Sequence, residues 1–329
     1  MGDNLVLYDW LSFSLLDMQA EDVIDLLHLK TFNWEIRKGF YGYRWRYFNQ
    51  GGISVHYDGS EDQGVLVEMS GSGCRYFESY SEFSWNTLFF ILEHLPERHR
   101  LHFTRLDIAF DDHEGILPLD QIVDDTLAER WVSPFRWAEV QRGAGDNHGC
   151  TVYFGSPQSE TRIRIYDKAA ERHAEEEGHW VRVELQLRRD RAAAFIARRE
   201  QGLTDLFCGV LLNYLRFVQP SEDTNKSRWE LTEYWDKLLG AVARVRLFSA
   251  PGLEYNRDRL EGFVYGSAAN AVYTAMVLDG DAFFEKITEL QKRSGGLPSK
   301  YVQLLKEYLV PCHDQSLPDS AGPCTSVSE

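Results

Sequence analysis

Closely spaced cysteines, basic charge and long apolar runs are all scarce in this chain, and each scarcity removes a class of explanation. The five cysteines, Cys74, Cys150, Cys208, Cys312 and Cys324, stand far apart with no CxxC spacing. They support neither a zinc site nor a disulfide framework and read as reduced structural thiols. No stretch approaches roughly 18 uninterrupted apolar residues, so no ordinary membrane-spanning helix is expected. The opening Met1-Gly-Asp-Asn lacks the basic start and apolar core of a signal peptide, and a cytoplasmic location is the expectation. Lysine and arginine number 35 against 51 aspartates and glutamates, a net charge of −16. An acidic chain repels nucleic acid at long range, so such a partner would have to be held by a local basic surface. The charge is unevenly spread, and Gln141 to Glu200 is nearly balanced.

What the chain does have is a cluster of strand-like segments of unusual character. Arg105–Asp111, Arg162–Lys168 and Trp180–Arg188 each alternate apolar and polar residues at period two. One face collects Ile108, Phe110, Ile163, Ile165, Val181, Val183, Leu185 and Leu187, enough apolar surface to bury under helices. The other carries Arg105, Asp107 and Asp111, then Arg162, Arg164, Tyr166 and Lys168, then Arg182, Glu184, Gln186 and Arg188. A solvated sheet face would explain any one of these strands. Three in succession, with carboxylates on two and a tyrosine on another, point to a site. Carboxylate oxygens are the ligands that Mg²⁺ or Mn²⁺ prefers, and a nearby hydroxyl can be activated as a nucleophile. Phosphoryl transfer is the chemistry this set suggests.

Several runs also resemble a known family. RLDIAFDD (105–112), TVYFGS (151–156), RIYDKAAE (164–171) and WVRVELQLR (180–188), with GVLVEMSGSGCRYFE (64–78) upstream, are similar to the replication initiation factor family. That family includes rolling-circle plasmid initiators and related relaxases of conjugative elements. The resemblance runs from about Asp9 to about Trp235. It implies that one DNA strand is nicked at an origin through a tyrosine that stays joined to the 5′ phosphate, with a divalent metal held by acids. Carried over by position, Tyr166 is the implied nucleophile, and Asp107, Asp111 and Glu184 are the implied metal ligands. Tyr153 is the reserve nucleophile. Asp107 and Asp111 lie about 13 Å apart along an extended strand, so one ion could not take both directly without a bulge or a bridging water.

The order strand, helix, several strands, helix occurs twice, over about 1–98 and 99–202. Val65–Ser70 matches Val181–Gln186 at three positions, and Asp9 sits in its strand much as Asp107 does. The fold expected is therefore α+β: two pseudo-repeated units with mainly antiparallel sheets, then a helical region over 203–310 and a disordered tail over 311–329. The first unit would position DNA and the second would carry the chemistry. Between Arg37 and Tyr47, cations including Arg44 and Arg46 interleave with aromatics, as on a single-strand binding platform.

The function expected is a replication initiator that nicks and re-joins one strand of single-stranded or hairpin origin DNA. A tyrosine hydroxyl is a poor nucleophile at neutral pH, and Lys168 and Arg164 are placed to favour its anion. Arg105, Arg162, Arg182 and Arg188, with Arg44 and Arg46, are the candidate DNA contacts. A relaxase of the same chemistry, a nuclease using water, and a non-catalytic origin-binding protein with ion-paired acids stay open as alternatives. A helicase and a second copy of the chain stay open as partners.

Overall fold

The computed structural model describes residues 5–29, 34–143, 149–173, 178–240, 264, 269–280 and 282–293. The chain divides into two compact units, Met1–Phe248 and Ser249–Glu329. The first is built on one ten-stranded sheet in which every neighbouring pair is antiparallel.

Its strands are β1 (Leu5–Leu15), β2 (Glu35–Lys38), β3 (Trp45–Phe48), β4 (Ile53–Tyr57), β5 (Val65–Met69), β6 (Leu101–Asp112), β8 (Ala138–Arg142), β9 (Cys150–Phe154), β10 (Thr161–Asp167) and β11 (Val181–Arg188). The short β7 (Trp131–Val132) and β12 (Arg216–Phe217) pair separately. The order across the large sheet is β2-β3-β4-β5-β1-β6-β11-β10-β9-β8. Read from either edge, this is the same path of four strands ending on a long one, and the two long strands β1 and β6 meet at the centre. The α+β, mainly antiparallel architecture and the repeated units are thus as the sequence suggests. The stretches 1–98 and 99–202 share this one sheet, because β1 finds its second neighbour only in the other half.

One face of the sheet lies under α1 (Ala20–Leu26), α2 (Gly71–Tyr80), α3 (Trp85–Glu93), α4 (Leu119–Leu127), α6 (Asp190–Ile196), α7 (Leu203–Tyr214) and α8 (Glu233–Leu239), with α5 (Lys168–Arg172) following β10. Ile108, Phe110, Ile163, Ile165, Val183, Leu185 and Leu187 face these helices and are buried with Phe13, Phe77, Phe89, Phe195 and Trp235. Each such side chain contributes roughly 1.5–3 kcal/mol of burial, which pins the register, since a one-residue slip would carry the set to the other face. α7 and α8 pack in this core, although the sequence groups them with the helical region after residue 202.

Several local features have identifiable causes. Tyr41–Phe48 is a turn followed by β3, because Tyr41 and Gly42 adopt φ of 55° and 90° and fold the chain back from β2. The α3 helix is capped by Ser84, whose hydroxyl accepts from the Thr87 amide at 3.2 Å. α2 lay hidden behind two glycines. A Cβ at Gly73 would come within 2.5 Å of the Gly52 carbonyl oxygen, so this helix approaches the sheet too closely for any other residue.

In the second unit the structure describes α9 (Ala269–Asp279) and α10 (Ala282–Arg293), both on segments read as helical. Residues 294–310 of the helical region expected over 203–310, and the tail over 311–329, lie outside the described residues. Among the described residues no helix is long and apolar enough to cross a membrane.

Candidate active site

The second face of the sheet is the polar one, and it is not a solvated surface. Asp107, Asp111, Arg182, Glu184 and Gln186 are all at most 6% exposed. β11 lies between β6 and β10, so long side chains from three strands cover one another. Antiparallel partners point to the same side, which stacks Tyr166 beside Arg182 beside Asp111, Arg164 beside Glu184 beside Ala109, and Arg162 beside Gln186 beside Asp107. Ala109 is the small member of the middle row and leaves the space that Glu184 occupies.

Buried charge must be paired, and here it is. Arg182 clamps Asp111 with two hydrogen bonds, Nε to Oδ1 and Nη2 to Oδ2, both 2.6 Å. Its Nη1 lies 2.8 Å from Asp9 Oδ1, an ion pair off the hydrogen-bonding line. Arg105 donates to Asp107, with Nε 2.9 Å from Oδ1, and its guanidinium rests 4.4 Å over the Trp10 ring. Arg164 donates to Glu184 Oε1. Tyr166 donates from its hydroxyl to Glu184 Oε2 at 3.2 Å, and Lys168 Nζ reaches that hydroxyl at 3.4 Å while also binding Glu171. Tyr166, Arg164, Tyr153, Thr151, Asp167 and Glu171 border a cleft of about 350 Å³.

The electrostatics of this knot are uneven. Burial, and next the facing Asp107 carboxylate, push Glu184 up to about 7 against the pull of Arg164. Burial also raises Asp111, but the Arg182 hydrogen bonds and charge outweigh it, leaving that carboxyl below its ordinary value. Asp9 is raised by burial despite Arg182, with the Glu184 charge adding to the rise. Tyr166 is raised well above a free phenol, first by burial and then by the Glu184 charge. The expectation that Arg164 and Lys168 hold the tyrosine as its anion therefore does not describe this state. Both cations are already engaged by carboxylates, and they lie 5.7 Å and 5.4 Å from the ring centroid.

Among the described residues no three His, Cys, Asp or Glu side chains converge as a ready metal centre. The fit of Mg²⁺ or Mn²⁺ rests instead on Asp107 and Glu184, two all-oxygen donors within hydrogen-bonding reach whose mutual repulsion a divalent cation would relieve. Mg²⁺ commonly takes one or two carboxylates and keeps several waters, so this pair suits it. Asp111, with both oxygens held by Arg182, stands apart from the pair.

The structure thus brings together Asp107, Glu184, Arg164, Tyr166, Lys168 and Arg105, with Arg182 and Asp111 in the same cross-strand row as Tyr166. Arg162 lies 4.1 Å over the Tyr153 ring at the cleft, and Arg188 is turned to the Pro157 carbonyl oxygen and Gln186. Arg44 and Arg46 are on the far half of the sheet, in and beside β3. Two members escaped the sequence reading. Glu171 could have been found from its i, i+3 spacing to Lys168 on α5. Asp9 could not, because a register irregularity between Tyr8 and Trp10 puts Trp10, not Asp9, opposite Asp107.

Comparison with known proteins bears on the family and the fold. Residues 101–280 match the family model described as replication initiation factor, and residues 5–93 match the rolling circle replication initiation protein N-terminal domain. A Bacillus subtilis (strain 168) protein named putative DNA relaxase NicK is 31% identical over 324 residues, covering 93% of this chain and 90% of that protein. The solved rolling circle replication initiator protein from Geobacillus stearothermophilus superposes with a TM-score of 0.67 at 30% identity, covering 75% of this chain and all of that one.

Proposed function

We propose a phosphotyrosine nicking and re-joining mechanism for this chain, which belongs to the replication initiation factor family. Its DNA partner is a single-stranded or hairpin origin, and a helicase that opens the duplex behind the nick belongs to the same reading. The observation that carries the proposal is the Tyr166 hydroxyl, held between Glu184 Oε2 and Lys168 Nζ at the edge of a cleft.

In the forward step the Tyr166 oxygen attacks the scissile phosphorus as its proton passes to Glu184, already its hydrogen-bond acceptor. In the metal-free fold, a carboxylate raised to about 7 is a base matched to neutral pH. The bond to the 3′ oxygen breaks, that oxygen takes a proton from solvent, and the 5′ phosphate stays on the tyrosine. The product is a phosphodiester like the one broken, so the freed 3′ hydroxyl can reverse the step. Lys168 at the hydroxyl, and Arg164 on the Glu184 carboxylate that the hydroxyl meets, are placed to receive the phosphate charge that enters with DNA. A divalent ion held by Asp107 and Glu184 would add charge stabilisation on the phosphoryl oxygens.

A non-catalytic origin-binding protein is the second reading, favoured by the Arg105–Asp107 and Arg182–Asp111 pairs. The test is incubation with a labelled single-stranded origin oligonucleotide and Mn²⁺, resolved on a denaturing gel. A covalent adduct that Tyr166→Phe abolishes supports nicking, whereas bound but uncut DNA supports the second reading.

A further inference from the structure

The near-symmetry of the sheet gives the active site a counterpart in the other half. Ser54 faces Glu68 across β4 and β5 as Arg164 faces Glu184 across β10 and β11. Two residues on, His56 holds the place that Tyr166 holds. This second position has no nucleophile, yet it is elaborately built. His56 is fully buried, and its Nδ1 accepts from the Phe40 amide at 3.4 Å, which leaves the proton on Nε2. That Nε2 has no hydrogen-bond partner and points 3.4 Å from Glu68 Oε2. Among the described residues, the other Glu68 oxygen takes only the long 3.2 Å bond from Tyr41, a residue 65% exposed. Phe40 is 51% exposed, with the Arg46 guanidinium 4.5 Å from its ring. An unsatisfied buried donor, a carboxylate on a loose partner and two exposed rings beside an arginine are groups that an unstacked base can meet once the rings of Phe40 and Tyr41, 6.0 and 5.9 Å from the His56 ring, swing aside.

We infer that this cluster opens to bind one unpaired guanine of the DNA strand, a proposal that rests on the chain acting on single-stranded DNA. The groups run donor, acceptor, acceptor: His56 Nε2–H, then the two oxygens of Glu68. The Watson–Crick edge of guanine is the complement, with O6 as acceptor and N1–H and N2–H as two adjacent donors. Cytosine and adenine bring one usable amino donor, and thymine a single ring N–H. The Tyr41 hydroxyl gives up Glu68 Oε1 to the base, and the rings of Tyr41 and Phe40 stack on it while Arg46 meets the phosphate. Glu68 lies three strand spacings from Glu184, about 14 Å across the sheet, with about 13 Å of offset along the strands, so one strand of DNA can reach both sites.

The experiment uses the full chain carrying Tyr166→Phe, in chelator, so that binding is read without cleavage. Fluorescein-labelled oligothymidylate of about 15 nucleotides, with one central dG, dA, dC or deoxyinosine, is titrated by anisotropy. The dG probe should bind about tenfold more tightly than plain oligothymidylate, with deoxyinosine, which lacks the N2 amine, in between. Glu68→Gln should remove the dG preference, whereas Phe40→Ala should weaken all probes by a similar factor. Equal affinity for dG and thymine, or for dG and deoxyinosine, overturns the inference with no dependence on any variant folding. A dG preference that survives Glu68→Gln also overturns it, by placing the preference elsewhere. Binding without preference leaves the nicking reading intact. A preference in a protein whose unmutated form makes no adduct sinks only that reading, and no binding to any probe overturns the inference while the nicking reading, which concerns an origin, stands on its own adduct test.

Discussion

The most quantitative consequence of the buried site is a stability that falls as pH rises. Glu184 has an ordinary value of 4.5 and stands at about 7 in the fold. The folded chain therefore holds a proton there that the unfolded chain has released, over the window between those values. Stability is fully present below pH 4.5 and is lost as pH climbs through about 7. At about 1.4 kcal/mol per pH unit the loss amounts to roughly 3 kcal/mol, and near-complete burial calls for little solvent discount. Glu184→Gln cannot ionise, so subtracting its stability from that of the unmutated protein isolates this one proton. Urea denaturation from pH 4.5 to 8.5 in chelator should show the unmutated protein losing roughly 3 kcal/mol relative to the variant. A difference that stays flat across that range, or one that grows with pH, would refute a protonated Glu184 facing Asp107.

The same reasoning extends to the neighbouring residues. Asp107→Asn removes the charge that ranks second to burial in raising Glu184, so the pH-dependent loss should move to lower pH in the same denaturation series. If it does not move, the two carboxylates are not coupled. Arg182→Met leaves Asp111 and Asp9 without their shared cation and should cost roughly 3–5 kcal/mol by urea denaturation, against under about 1 kcal/mol if that network were solvated. Arg44→Ala with Arg46→Ala should flatten the salt dependence of single-strand binding by about two counterions, one per lost phosphate contact. An unchanged slope would return that hairpin to an ordinary edge.

Much of the catalytic half was legible because its strands alternate cleanly. Ile163, Ile165, Val183 and Leu185 announce a buried face, and their intervening residues then have to share the other. What period two could not reveal was that this second face is also buried. That depends on β6 finding β1 as its outer neighbour, a pairing made across the whole first half of the chain. Asp9 was out of reach for the same reason, since its approach to Arg182 needs both that pairing and a local irregularity. The raised value of Tyr166 was likewise hidden, because the sequence places Arg164, Lys168 and Glu184 on one face but does not show the burial that chiefly raises it. In the first half, Gly71 and Gly73 disguised α2.

The central claim is that Tyr166 is the group that breaks and holds the DNA strand. Its most direct measurement is peptide mapping of the protein after reaction with an origin oligonucleotide and Mn²⁺, nuclease trimming and protease digestion. The account predicts a nucleotide remnant on the peptide that contains Tyr166, and its disappearance in Tyr166→Phe. A remnant on the peptide containing Tyr153, or cleaved DNA with no modified peptide, would contradict it.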